Sequence, residues 1–485
     1  MAFRIGSSER DTDPLHSREH RSVQVAATVQ IARWRSRCLQ VEGTTDAGQT
    51  VRAPLCSWCS PWPNNFVASP GTSVRYWLTA SVMSRTFLAL LCAGLMWLTA
   101  LPLAQLNDDD LIDHPAVQYR KKATADPMVA LKGRLDSGAA RLTSNGQSGY
   151  LRSLLQALDI PLSSQIMVFS QSSVQGPRIN AGNPRALYFN DSAVVGWVRG
   201  GFIEVASQDP EQGTVFYTVD SNVLAGPAVT RRDECLSCHH TYRTGLVAGM
   251  IESMGQKRPL ENRWGGWYVT GNLGSIRHLG NVDMATVFKD PTTVNTTPLA
   301  SLETQFDVTG YLTPHSDIAA LMVFEHQMQM MNLLTRLGWE TRTAAHERRL
   351  EAARASLEAR AADVVDYLLF VDEAPIASPL VGTSGFAQAF SAGGPRDSKG
   401  RSLRQLDLTR RLLQYPCSYM IYSAQFERLP QAAKSAVYAR LWAILSGAER
   451  DSKYRHLTAA DRQAIIEILR DTKTDLPASF KGSRS

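Results

Sequence analysis

Apolar positions in the middle of this chain fall into short runs of β-branched and aromatic residues, at 165–170, 185–189, 194–198, 202–207 and 214–219. Gly, Pro, Asn and Asp punctuate them, which is the signature of successive strands and tight turns. Upstream, 149–158 has helical spacing and stops before Pro161, and the polar stretch at 106–146 predicts an arm plus a helix. At Pro314-His315-Ser316-Asp317 the period changes. Ser316 or Asp317 is placed to cap a helical pattern over 318–370, apolar and Met-rich to Leu337 and rich in Arg and Glu beyond it, with Gly338 as a point of division. After a Gly-, Ser- and Pro-rich loop at 374–400, helical spacing resumes over 403–413, 419–426, 431–445 and 459–469. The pattern predicts an α+β fold. A β-rich region occupies 105–300, a long helix or helical hairpin 301–372, and a helical region 373–485.

The first hundred residues read differently. Residues 1–82 hold nine Arg and no Lys and have no sustained apolar period. At Met83-Ser84-Arg85 a charged start leads into an apolar run over 87–101 and then Leu103-Ala104, the layout of a secretory signal over 83–104. The run of fifteen is short for a span, which needs about 20 residues. The expectation is an exported protein, periplasmic or otherwise extracytoplasmic, whose residues 1–82 are a doubtful extension. A cytosolic N-terminal domain on a membrane anchor is the alternative.

Composition sharpens this. With 485 residues, 44% hydrophobic and 20% charged, most of the chain is globular. The mean hydropathy of −0.19 and the single long apolar stretch exclude a polytopic membrane protein. The formal charge is +6, but 1–104 carry ten Arg against six Asp or Glu, leaving +2 on the remainder. Nucleic-acid binding has no support from so small an excess. Of seven cysteines, Cys235, Cys238 and Cys417 follow the leader, too few for a disulfide scaffold. Cys56 and Cys59 have CxxC spacing but no second pair nearby, and Cys417 reads as buried and inert.

The chemistry concentrates at Glu234-Cys235-Leu236-Ser237-Cys238-His239-His240, which contains CxxCH, the attachment sequence for c-type haem. Two intervening residues let both sulfurs reach one porphyrin edge as thioethers. The histidine that follows is carried under the ring, where its imidazole can bind iron. One covalent haem c is expected, held by Cys235, Cys238 and His239. Zinc would need a fourth ligand that the segment lacks. Thiol redox chemistry would make no use of His239. The second axial position is open: His278, in a Gly-flanked loop, is the favoured ligand and Met284 the next, or the site is empty. Met250, Met254, His326 and the Met cluster at 328, 330 and 331 are further candidates, the cluster reading first as a core stripe. Arg263, Trp264 and Trp267 supply a cation and indoles suited to a porphyrin's carboxylates and wall, as do Trp197 and Arg199. A strand packing these aromatics in a core accounts for them equally well.

Pro184-Arg185-Ala186-Leu187-Tyr188-Phe189-Asn190-Asp191, the CxxCH motif, Arg263-Trp264-Gly265-Gly266-Trp267-Tyr268-Val269-Thr270-Gly271, Arg277-His278-Leu279-Gly280-Asn281 and Tyr415-Pro416-Cys417-Ser418-Tyr419 occur in that order. Together they resemble a family of exported, largely uncharacterised bacterial monohaem cytochrome c domain-containing proteins, over roughly 105–475. The resemblance implies haem c and an extracytoplasmic location and brings no substrate. In such relatives the helix with Glu325-His326-Gln327 carries a histidine where this chain has Met331, a departure that puts any haem role of that helix in doubt. The expected function is single-electron transfer to a redox partner protein, with no membrane span in the mature chain. A haem enzyme or gas sensor is the first alternative, and a docking subunit using the charged stretch at 340–362 the second.

Overall fold

The computed structural model describes residues 40–44, 50–54, 108–220, 226–240, 255–282, 284–290 and 297–481. The proposed leader, Cys56, Cys59, Met250 and Met254 lie outside them, as does the side chain of Met284. The chain divides into two units, 1–101 and 102–485. In the first, β1 (Gln40–Thr44) pairs antiparallel with β2 (Thr50–Pro54).

The second unit begins with three short helices, α1 (Asp108–Asp113), α2 (Pro127–Asp136) and α3 (Leu151–Ala157). Asp126 caps α2 by accepting from the Met128 and Val129 N–H groups, with Pro127 preset for the first turn. The strands follow: β3 (Ile166–Val168), β4 (Arg185–Phe189), β5 (Ala193–Trp197), β6 (Ile203–Asp209), β7 (Gly213–Asp220) and β8 (Ala228–Arg231). A single helical turn, α4 (Leu236–His239), precedes the short β9 (Trp267–Tyr268) and α5 (Met284–Lys289). Each of the five apolar runs contains or overlaps a strand. Hairpins form where side chains bend the backbone: Asn190 Oδ1 accepts from Ser192 and Ala193 N–H, and Asp209 Oδ1 from Glu211 and Gln212 N–H.

These strands form one antiparallel sheet in the order β8-β7-β6-β5-β4-β3-β9. Alternate residues divide between its faces. Ala186, Tyr188, Val195, Val205, Val215 and Val219 pack with the helices of 108–157. Leu187, Phe189, Ile166, Val168 and Trp267 pack on the other side, against α6 (Ile318–His346). Asp317, not Ser316, caps α6, accepting from Ala319 and Ala320 N–H, while its other oxygen takes Thr383 and Ser384 N–H.

The rest is mainly helical: α7 (Arg354–Leu368), α8 (Phe386–Ala392), α9 (Ala424–Glu427), α10 (Gln431–Leu445) and α11 (Ala459–Thr472). The α+β architecture, with a mostly helical C-terminal half, is as the pattern predicts. Two details differ. The division of the long helix falls between α6 and α7, where Arg348 has φ +55°, and Gly338 lies inside a continuous α6 with the Arg342 side chain packed over it. The stretch at 403–413 is not helical: Asp407 Oδ1 accepts from Thr409 and Arg410 N–H, Leu408 is left-handed, and Leu406 bridges Leu413. Among the described residues no helix is long and apolar enough to cross a membrane.

Candidate cofactor site

The CxxCH segment is tied to the sheet edge through the residues that precede it. Arg231, the last residue of β8, donates to Asp233 and to the Tyr119 carbonyl, and Arg232 donates to Thr218 Oγ1 and Glu234. Buried Leu236 anchors the turn, and the His239 ring packs on Phe216 of β7 at 4.5 Å between centroids. Cys235 is half-buried, Cys238 is exposed, and they form no disulfide. Burial, with Glu204 and Glu234 adding to it, pushes the Cys235 thiol up to about 11, the reverse of what a reactive redox cysteine needs.

Cys235, Cys238 and His239 line one cavity of ≈ 610 Å³. That lies within the range of roughly 300–1,000 Å³ for small-molecule and cofactor sites. The local sequence explains the space. On the face of β5–β7 turned toward α6 stand Val194, Gly196, Ala206, Thr214 and Thr218, most of them small, so their side chains do not fill the space beneath the helix as Leu187 and Phe189 do. Across the cavity α6 presents Phe324, Glu325, Met328 and Met331, and Trp267 enters from β9.

The wall carries unspent bonding capacity. Buried atoms without a hydrogen-bond partner include His239 Nδ1, Trp267 Nε1, Arg185 Nε and Gln208 Nε2, all on cavity-lining residues. Other buried atoms without a partner lie elsewhere among the described residues, but these face a space with room for a ligand that would satisfy them. Arg185 reaches over Gly196 to pair with Glu204 at 2.5 Å, and Ser173 Oγ donates to Glu204 Oε1 at 3.0 Å. Burial, and secondarily the Arg185 charge, lowers His239 to about 4. It is therefore a neutral imidazole at neutral pH, the form that binds metals.

The structure separates the other residues singled out from sequence. Trp267 reaches the cavity. Arg263 and Trp264 do not: both turn to the far side of Glu325, where Arg263 Nη1 lies 3.1 Å from Oε2 and Trp264 Nε1 donates to Oε1 at 2.6 Å. His278 is also elsewhere, edge-on to Trp264, with Nδ1 accepting from Gly280 N–H and burial lowering it to about 4. Trp197 packs on the opposite face of the sheet, and Arg199 pairs with Asp307. Sequence reasoning missed Arg185, Glu204, Gln208 and Phe216. One signal was present, a lone glycine in the strand Val194-Val195-Gly196-Trp197, which marks a close approach by another group. Cys417 is buried, its thiol pushed up to about 12.

Among the described residues no group of three or more His, Cys, Asp or Glu side chains is arranged to hold a bare metal ion, so the zinc reading finds no ligand set there. Comparison of the chain with protein-family models, with curated proteins and with solved structures finds no match.

Proposed function

We propose that this chain is an exported monohaem c-type cytochrome that passes single electrons to and from a redox partner protein. The observation that carries the reading is the convergence of all three CxxCH side chains on one apolar cavity with orphaned donors in its wall. The family resemblance of the sequence motifs agrees with it.

In this reading Cys235 and Cys238 tether the group through thioethers, and neutral His239 offers its imidazole to the iron. Trp267 Nε1 and Arg185 Nε, buried and unpaired, are donors suited to the carboxylates of a porphyrin. Leu187, Phe216, Phe324 and Met328 supply apolar wall that keeps water from the centre. Bound there, the haem contributes one-electron iron chemistry. The charged stretch at 340–362 is a weaker basis for docking, because Glu340 pairs with Arg336 and Arg360, and Arg354 with Glu351 and Glu358. Such pairs, exposed around Arg354 and part-buried around Glu340, are what a solvated helix face needs.

The test is expression in a host that matures c-type cytochromes, followed by a covalent-haem stain of the denatured protein. Wild type is expected to stain and Cys235→Ala/Cys238→Ala to lose the stain entirely. A wild-type protein that folds in such a host without covalent haem would falsify the proposal.

A further inference from the structure

The proposed function leaves open what faces His239 across the cavity, and the wall itself restricts the answer. Among the described residues lining it, the side chains beyond the motif that carry a sulfur or imidazole donor are Met328 and Met331. Both belong to α6 and stand three residues apart, on one helical face. Met330 is equally buried but is not part of the wall. His278 lies outside it, and His326 spends both ring nitrogens on Gln256 Oε1 and Ser418 Oγ.

Two observations choose between the methionines. The ring of Trp339, two turns further along α6, lies 6.4 Å from His240, the neighbour of His239. At 1.5 Å of rise per residue, Met331 is about 12 Å along the axis from Trp339 and Met328 about 16 Å, so the turn that carries Met331 is the closer of the two to the Trp339 contact. The turn carrying Met331 is also braced. Its carbonyl accepts from Thr335 Oγ1 at 2.8 Å and from Gln425 Nε2 at 3.1 Å, and Gln425 Nε2 donates in turn to Thr335 at 2.6 Å. An iron ligand needs such support, since a flexible side chain on an unbraced backbone holds a metal poorly.

We infer that Met331 supplies the second axial ligand through its thioether sulfur, and that Met328 is apolar wall beside it. The inference rests on the haem c reading and deepens it, assigning His/Met coordination, a six-coordinate low-spin iron and a raised potential.

The experiment uses full-length protein from a host that matures c-type cytochromes, with covalent haem scored first. Met331→Leu and Met328→Leu keep nearly the same apolar volume, so packing changes little. In the haem-loaded ferric wild type, the weak far-red charge-transfer band of methionine ligation is expected. Met331→Leu loses it, turns high-spin, and binds added imidazole at least about tenfold more tightly, the displaced ligand no longer competing. Met328→Leu, altered in the wall itself, keeps the far-red band, and Met330→Leu, buried but outside the wall, keeps the wild-type spectrum. Met331→His stays low-spin without the band and at a lower potential. A band that survives in Met331→Leu, vanishes instead in Met328→Leu, or is missing from the haem-loaded wild type overturns the assignment. Absence of covalent haem from the wild type is the separate failure of the reading beneath it, and removes the assignment too.

Discussion

α6 borders two spaces that contain the same kinds of residue and differ in nearly everything else. On one side is the ≈ 610 Å³ cavity with His239, Arg185 and Glu204. On the other a space of ≈ 10 Å³ is lined by Gln256, Arg263, Glu325, His326 and Glu373. In the small space His326 Nδ1 lies 2.9 Å from Gln256 Oε1 and Nε2 lies 2.7 Å from Ser418 Oγ, with the ring stacked between Tyr367 and Phe370 at 5.1 and 4.5 Å. Serine, imidazole and amide in a row have the order of a nucleophile, a base and its orienting group. Yet the space has room for about one water, and Ser418, His326 and Gln256 are buried. No substrate carbonyl could reach that hydroxyl. The cavity with orphaned donors has room for a ligand, and the filled cluster is a structural knot. Residue type does not distinguish them. Free volume does, since Gln256 Nε2 in the small space is itself a buried donor without a partner.

The widest test exchanges the two histidines. His326→Ala removes a ring held between two aromatics and leaves Gln256 and Ser418 each short of a buried partner. It is expected to cost about 3–5 kcal/mol in denaturant unfolding, with the visible spectrum of the folded, haem-loaded fraction unchanged. His239→Ala is expected to do the reverse, altering the iron's spin state at little cost to unfolding of the haem-free chain. A normal unfolding midpoint for His326→Ala together with an altered spectrum would place the working site in the wrong space.

The same contrast explains how much could be read in advance. CxxCH was legible because its chemistry is local: four intervals of one chain bring two sulfurs and an imidazole to one turn. The strands were legible because both faces of the sheet are buried, which turns them into nearly continuous apolar runs. The division among Arg263, Trp264 and Trp267 was not. Trp264 has φ +67° and Gly266 φ +80°, and this irregular turn sends neighbouring indoles to opposite sides of Glu325. The Arg185–Glu204 pair was hidden because it depends on register, with Gly196 opposite Leu187 on one side and Glu204 on the other. The wall of α6 was hidden by its own composition, since a helix apolar on nearly every face does not show which methionines border empty space.

A smaller effect is expected from the charges inside the cavity. Glu204→Gln leaves Arg185 without a counter-charge where little water reaches it. With side chains 20% and 16% exposed, the pair is only partly screened, so the loss is on the order of 2 kcal/mol, below the 3–5 of a fully buried break. Arg185→Met/Glu204→Met removes both charges and is expected to recover most of that stability. If the double variant is also less able to retain or orient haem, judged by its visible spectrum, the pair serves the cofactor. A double variant no more stable than Glu204→Gln would mean that packing around Gly196, not charge, sets the cost.

The smallest effect sits where the two spaces meet. Among the described residues Glu325 lines both, so its protonation reports to which side it belongs. Burial raises its carboxyl to about 7, against the lowering influence of Arg263 and Trp264, and burial holds nearby Glu373 at about 7 as well. His326, facing the same space, is kept neutral by burial, lowered to about 3. A carboxyl raised on folding keeps a proton that the unfolded chain has already released. Its contribution is therefore whole below about 4.5 and is lost as pH rises toward 7. Glu325→Gln imitates the protonated form and can still accept from Trp264. It is expected to match wild type at pH 4.5 and to exceed it by on the order of 1–2 kcal/mol at pH 8, measured by denaturant unfolding across that range. A deficit at pH 8 would show that the ionised carboxylate is firmly paired with Arg263 and that burial is not the ruling influence. If instead the unfolding profile stays put while the pH dependence of the haem spectrum changes, Glu325 answers to the cavity, and the boundary between structural knot and working site moves across α6 to include it.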